Sequence, residues 1–301
     1  MITAQSLNVT DAAPPDMEGK MMPPIGASSG KAELVAPTDV EWAIFAGWAR
    51  AEGWRVPAVE LTLYRQELAA SAFVLRGAVG EPCGFVTVCR HQRSAWIGNL
   101  LVDPQRRGAG VGRRLFGLAL TSLVDSGSSS QWLTASAQGR PLYAQHGFRE
   151  AGRVERWVWS GVGGGSPVST GNLPELLKAD AAAWGDARGE LLGLLSRRGR
   201  IFSSGSSTAL LQPGEELQVL GPWLSADLCP RSNRLILGMV LEGLSGPREL
   251  ATDLIGGSPV RALLQAAGFR QTGETVLMVR GAPGPVRFGE IVALATLGSM
   301  G

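Results

Sequence analysis

Gln105-Arg-Arg-Gly-Ala-Gly-Val-Gly-Arg-Arg114 decides how this chain is read. Before it stands an apolar, strand-like run, Ala95-Trp-Ile-Gly-Asn-Leu-Leu-Val102, and the turn Asp103-Pro104. After it Leu115-Phe-Gly-Leu-Ala-Leu120 reads as helix. A strand, a loop with glycines at 108, 110 and 112, and a helix start together make a device for holding phosphate. Glycines let the backbone approach, and the first amides of a helix have no partner of their own. Arg107, Arg113 and Arg114 add positive charge at the same place.

Several loops share this outline. A nucleoside-triphosphate loop needs Gly-Lys-Ser/Thr, with the hydroxyl on magnesium, whereas Arg113 and Arg114 follow Gly112 here. A dinucleotide loop needs G-x-G-x-x-G and an acid at the end of the next strand; the spacing here is G-x-G-x-G, and Gln131-Trp-Leu-Thr-Ala135 ends in no acid. The third form is Arg-x-x-Gly-x-Gly, Arg107 to Gly112, preceded by Val102-Asp-Pro104. The bland reading is a glycine-rich surface turn with no ligand. A second segment weighs against it. Gly139-Arg-Pro-Leu-Tyr-Ala-Gln-His-Gly-Phe148 reads as a short helix closed by a left-handed glycine, with Phe148 packing back and the strand-like Val154-Glu-Arg-Trp-Val-Trp159 beyond.

The two motifs, in this order and at this spacing, resemble those of the GNAT acyltransferases over about residues 31–160. The resemblance implies an α/β fold with a mixed sheet, the acyl-CoA N-acyltransferase fold. It implies acetyl-CoA as co-substrate and no metal. A splayed strand at Asn99–Val102 would offer Leu100, Leu101 and Val102 to the pantetheine arm as an added strand would. The backbone of Arg107, Gly108, Ala109, Gly110, Val111, Gly112 and Arg113 would hold the pyrophosphate. Tyr143 stands where the family's tyrosine protonates the departing sulfur. Trp48 and Trp54 fall where the family lines its acceptor pocket, and Trp42 suits the core. Many relatives carry a Glu base on the strand before the loop. Ala95–Val102 has no acid, which leaves a water chain or a carboxylate such as Glu41, Glu52 or Glu60. The expected activity is transfer of an acetyl group to a small-molecule or protein amine by direct attack in a ternary complex. The alternatives are an acyl-CoA sensor or scaffold without turnover, and a nucleotide-binding enzyme using the same loop.

A chain of 301 residues bounds the molecule at one or two domains. A net charge of +2 with scattered arginines argues against a nucleic-acid surface or a polybasic membrane patch. No apolar run reaches membrane-spanning length, and the first residues lack a signal-peptide core. The three cysteines, Cys83, Cys89 and Cys229, have no metal-ligand spacing and point to reduced thiols in a cytoplasm. His91 and His146 read as turn or loop residues.

Residues 1–30 read as a flexible leader, 31–160 as the catalytic unit and 161–171 as a Gly/Ser linker. Residues 172–301 read as a second, degenerate GNAT-like unit, giving two tandem domains. Gln145-His-Gly-Phe-Arg-Glu-Ala-Gly152 aligns with Ala266-Ala-Gly-Phe-Arg-Gln-Thr-Gly273, and Arg114-Leu-Phe116 with Arg234-Leu-Ile236. In the second copy Leu264 replaces Tyr143, and Pro230 and Ser232 replace Gly110 and Gly112. Proline offers no N–H and leucine no proton. The second copy is therefore expected to bind no CoA, and either to close over the first or to mediate self-association into a homodimer. The run Gly289–Gly298 resembles the closing segment of the tandem subgroup.

Overall fold

A computed structural model describes residues 35–124, 127–165 and 169–301. The expected leader, residues 1–30, lies outside the described residues. The chain begins with helices α1 (Asp39–Ala51) and α2 (Ala58–Gln66). Strands β1 (Ala72–Arg76), β2 (Pro82–Arg90) and β3 (Ser94–Val102) follow, then helix α3 (Val111–Val124), strand β4 (Ser130–Ala135), helix α4 (Arg140–Gln145) and the long strand β5 (Arg149–Gly164). The same order then repeats: α5 (Leu173–Trp184), α6 (Gly189–Ser196), β6 (Arg200–Ser204), β7 (Ser207–Gln212), β8 (Leu217–Ser225), α7 (Pro230–Glu242), β9 (Ser245–Ile255), α8 (Val260–Ala266) and β10 (Arg270–Gly281). A short strand, β11 (Ile291–Ala293), comes last.

Local signals explain the element ends. At α1 the Thr38 side chain accepts from Glu41 N at 3.3 Å, and the Glu41 carboxylate accepts from Thr38 N at 2.8 Å. This closed capping box satisfies donors at both positions. Trp42, Phe45 and Ala49 recur on its inner face and are buried. Asn172 caps α5 by accepting from Glu175 N at 3.0 Å, with Pro174 in the first turn. Gly147 closes α4 at φ +83°, and Gly268 closes α8 at φ +88°. The two Gly-Phe-Arg endings thus perform the same turn in both halves.

The strands form one sheet in the order β1-β2-β3-β4-β10-β5-β9-β11-β8-β7-β6. β10 enters the first half between β4 and β5, and β5 enters the second between β10 and β9. Apart from β11, the order reads the same from either edge once each strand is exchanged for its counterpart. α1, α2, α5 and α6 share one core cluster, which includes Trp42, Tyr64, Trp96 and Leu192. α3 and α4 pack on a separate cluster around Phe116 and Phe148, and α7 and α8 on a third around Trp223 and Ile236.

One boundary differs from the sequence reading. The linker expected at 161–171 is strand over its first four residues: Gly161 to Gly164 pair with Arg248 to Ser245 of β9. Glycine-rich sequence favours flexibility only while no neighbouring strand takes up its backbone groups. Here β9 supplies that neighbour, and a Cβ on Gly163 would stand 1.9 Å from the Leu244 carbonyl oxygen.

Candidate functional site

β3 and β4 run parallel but pair only from Ser94–Trp96 to Ser130–Trp132. Both strands continue, and β4 is paired along its far edge by β10 through Ala135. From Ile97 onward the edge of β3 that faces β4 has no strand against it among the described residues. A bulge marks the parting. Phe85 of β2 lies opposite Leu101, and Thr87 opposite Gly98, so Asn99 and Leu100 together oppose Val86. Asn99 has φ +51°, a left-handed geometry that asparagine tolerates better than most residues. Its Nδ2 is buried and has no hydrogen-bond partner among the described residues.

The glycine loop follows directly. Asp103 anchors it: its N–H donates to Cys83 O at 3.0 Å, and its carboxylate accepts from Gln105 N at 3.0 Å. Gly108 and Gly110 have φ +80° and +81°, a region closed to most side chains. Gly112 lets α3 start against β3, since a Cβ there would already touch Val102 at 3.4 Å. Within the loop Ala109 N donates to Arg106 O at 3.4 Å, and Arg114 N to Gly110 O at 3.0 Å. The N–H groups of Gly108, Gly110, Val111, Gly112 and Arg113 donate to no described residue. Gly108, Ala109 and Gly110 are exposed. A row of unengaged amides at a helix N-terminus is an anion cradle.

The side chains around the cradle divide into two groups. Arg113 and Arg114 are exposed and form no ion pair among the described residues. The Arg107 guanidinium is turned to Glu52 at 2.6 Å, which ties the loop to the end of α1. Arg107 therefore offers the cradle its backbone rather than its charge. Val111 is buried in the core beside Leu115 and Phe116. Leu101 is buried on the α1 face, and Leu100 and Val102 are half-buried on the α3 face.

Tyr143 stands on α4, with its ring 4.9 Å from Phe116 and 6.3 Å from Phe148. Its hydroxyl makes no hydrogen bond to a described residue, and burial pushes the phenol up to about 12. A phenol so placed stays protonated at neutral pH and can act as an acid. Trp48 is half-buried, edge-on to Phe85 at 5.6 Å, while Trp54 is 39% exposed just past α1. Trp42 is core, stacked near Tyr64 and Phe85. His91 differs from a plain turn residue: its Nε2 is buried without a partner among the described residues, and desolvation draws the imidazole down to about 3.

Sequence reasoning missed the path of residues 294–301. After β11 this segment crosses the sheet on the face of α1 and α2. The indole N–H of Trp96 donates to Gly298 O at 3.1 Å, and Tyr64 Oη donates to Ser299 O at 3.2 Å. Arg156 donates to Leu297 O at 2.8 Å. The resemblance of Gly289–Gly298 to a closing segment gave no path, and the signal for close packing on strands was the run of small residues Gly298, Ser299 and Gly301.

The second half builds the corresponding region differently. Its β8–α7 connection, 226–229, is half the length of 103–110. Pro230 opens α7, and the side chain of Leu264 is fully buried where the first half places Tyr143. β11 lies in the gap between β8 and β9, with Ala293 opposite both Trp223 and Leu254.

Among the described residues no cluster of His, Cys, Asp and Glu could hold a metal, and no helix is long and apolar enough to cross a membrane. No curated protein matches the chain. Several solved structures share its fold. A Pyrococcus horikoshii protein described as a candidate acetyltransferase is 18% identical with a TM-score of 0.71, over 89% of this chain and 95% of that one. A GCN5-related N-acetyltransferase from Sphaerobacter thermophilus is 17% identical with a TM-score of 0.60, over 84% and 96%. A tandem GNAT protein from the clavulanic acid biosynthesis pathway is 14% identical with a TM-score of 0.54, over 84% and 99%. The sequence model of the acetyltransferase (GNAT) domain matches residues 69–150, the stretch that holds the bulge, the glycine loop and Tyr143. By that match, residues 69–150 are a GNAT acetyltransferase domain.

Proposed function

We propose that this protein transfers an acetyl group from acetyl-CoA to an amine by direct attack within a ternary complex. The observation that carries this reading is the set of unengaged amides of Gly108, Gly110, Val111, Gly112 and Arg113 beside the open edge of β3. The amides suit a pyrophosphate, and the edge beyond Trp96 suits an extended pantetheine arm. The fit extends to charge, since Arg113 and Arg114 are exposed at the same helix start. Bound there, the coenzyme supplies an activated acyl thioester. The chain's own part is to hold the donor, to orient its carbonyl at the β3 bulge, and to give the leaving thiolate a proton from Tyr143.

In this reading the second half, residues 172–301, is a completing unit rather than a second enzyme. Its short β8–α7 connection, Pro230 and Leu264 lack the groups the first half uses. Its strand gap is filled by β11.

Titration calorimetry with acetyl-CoA, NAD and ATP tests the ligand, and release of free CoA across polyamines, amino acids and peptides tests the reaction. Saturable acetyl-CoA binding with amine-dependent CoA release is expected. Binding without release across the panel makes the protein a sensor, and preferential retention of NAD or ATP overturns the assignment.

A further inference from the structure

Three carboxylates were open as proton acceptors, and two are committed elsewhere. Glu41 is bonded by Arg76 at 2.6 Å and by Thr38, which hold its carboxyl down at about 2. Glu52 is paired with Arg107 at 2.6 Å. Glu60 is different. It sits on α2, is 2% exposed, and takes partners from the closing segment. Ser299 Oγ donates to Glu60 Oε2, and Leu297 N donates to Oε1 at 3.4 Å.

Ser299 itself rests on the bulge of β3. A Cβ on Gly98 would stand 2.3 Å from the Ser299 carbonyl oxygen, so only glycine lets the segment lie there. Gly98 immediately precedes Asn99, whose buried Nδ2 lacks a partner among the described residues, and lies opposite Thr87, another buried polar residue. Buried polar groups are normally paired, so an unpaired one where two strands part marks a place for a ligand. This cluster is on the face of α1 and α2, opposite the glycine loop and α3. An acceptor arriving on that face meets the thioester from the side away from the donor's phosphates.

We propose that Glu60 and Ser299 form the unit that takes the proton from the acceptor amine. The inference rests on the acyltransferase reading above. The Ser299 hydroxyl gives its hydrogen to Glu60, so its oxygen lone pairs are what an amine N–H encounters. As the amine nitrogen bonds the acyl carbon, its proton passes to Ser299 Oγ, and the hydroxyl's own proton passes to Glu60. The C–S bond breaks, and Tyr143 protonates the sulfur. Glu60 ends neutral and Tyr143 ends as phenolate; solvent restores both when the products leave. Burial raises the Glu60 carboxyl to about 7, where a base is best poised at neutral pH. Among the described residues, Arg156 from β5, Asp253 from β9 and Tyr64 from its own helix are the ionisable side chains that face it, and residues 291–301 add no ionisable side chain.

The test uses the full chain with Glu60→Gln and, separately, Ser299→Ala. Acetyl-CoA affinity is read by calorimetry, and kcat and KM by CoA release across pH. Glu60→Gln is expected to lose about 100-fold in kcat and the ascending limb near pH 7, with acetyl-CoA affinity within about twofold of the parent. Ser299→Ala is expected to lower kcat in the same direction, and it carries the test alone if Glu60→Gln does not fold. Variants that keep the parent's kcat and ascending limb overturn this inference while leaving the acyltransferase intact. A parent protein that ignores acetyl-CoA overturns both.

Discussion

A phenol held at about 12 by burial keeps its proton through the whole working range of an enzyme, and Tyr143 owes that state to the apolar packing of Phe116 and Phe148. Its hydroxyl makes no bond to a described residue, so its removal disturbs little of the fold. Tyr143→Phe is expected to lower kcat by about 100-fold while acetyl-CoA affinity stays nearly unchanged; single-turnover and calorimetric measurements separate the two. In the proposed acyltransferase, Gly110 acts through its backbone instead. At φ +81° it has a conformation that proline cannot reach, and its N–H is one of the unengaged amides. Gly110→Pro is expected to abolish acetyl-CoA binding, and unchanged affinity by calorimetry would count against the cradle. The local geometry at both residues was legible in the sequence: glycine spacing dictates a loop, and Leu-Tyr followed by Gly-Phe dictates a helix end. The placement of Glu60 was not legible. Nothing in Val59-Glu60-Leu61 shows that Ser299, far along the chain, will sit on its carboxylate.

At the level of elements, α1, the β1–β2 hairpin, α4 and the turn into β5 follow from caps and apolar periods. The behaviour of β5 does not. Its glycines at 161–164 read as linker, because the partner that takes up their backbone groups, β9, comes much later in sequence. The same strand carries Arg156, whose guanidinium forms two bonds to Asp253 of β9 at 2.8 and 2.7 Å and a third to Leu297 O. Asp253 is 2% exposed, so removing its partner leaves a buried charge unpaired. Arg156→Ala is expected to cost about 3 kcal/mol or more, measured by denaturant midpoint. It should also loosen the closing segment, which the same guanidinium holds. The Glu41–Arg76 pair is more exposed on its arginine side and contributes less. The sign of its pH dependence is clear nonetheless. Glu41 is held at about 2 in the fold against 4.5 ordinarily, so its contribution is present above 4.5 and lost as pH falls toward 2.

At the scale of the molecule, the two halves cannot be separated cleanly. β4 is completed by β10, and β5 stands between two strands of the second half. A chain ending near residue 160 would leave both with open edges, and such edges aggregate. The full chain is therefore expected to unfold in one cooperative transition by calorimetry, and the first half alone to stay unfolded or insoluble. Two well-separated transitions would contradict this. Stability should also carry the signature of Glu60. Between pH 4.5 and about 7 the folded chain keeps its proton while the unfolded chain has released it. This contribution is therefore full at low pH and is lost as pH rises through that window. Denaturant midpoints of the parent and Glu60→Gln across the window check the slope, which the variant should lack.

The insertion of β10 between β4 and β5 also sets a timetable. A ribosome that has delivered the glycine loop and Tyr143 has not yet delivered Arg270–Gly281, the strand that must enter beside them. Pairings this distant in sequence form slowly. The nascent chain must hold β4 and β5 without the strand that joins them until nearly its whole length has emerged, and the glycine loop and Tyr143 gain their final surroundings only then.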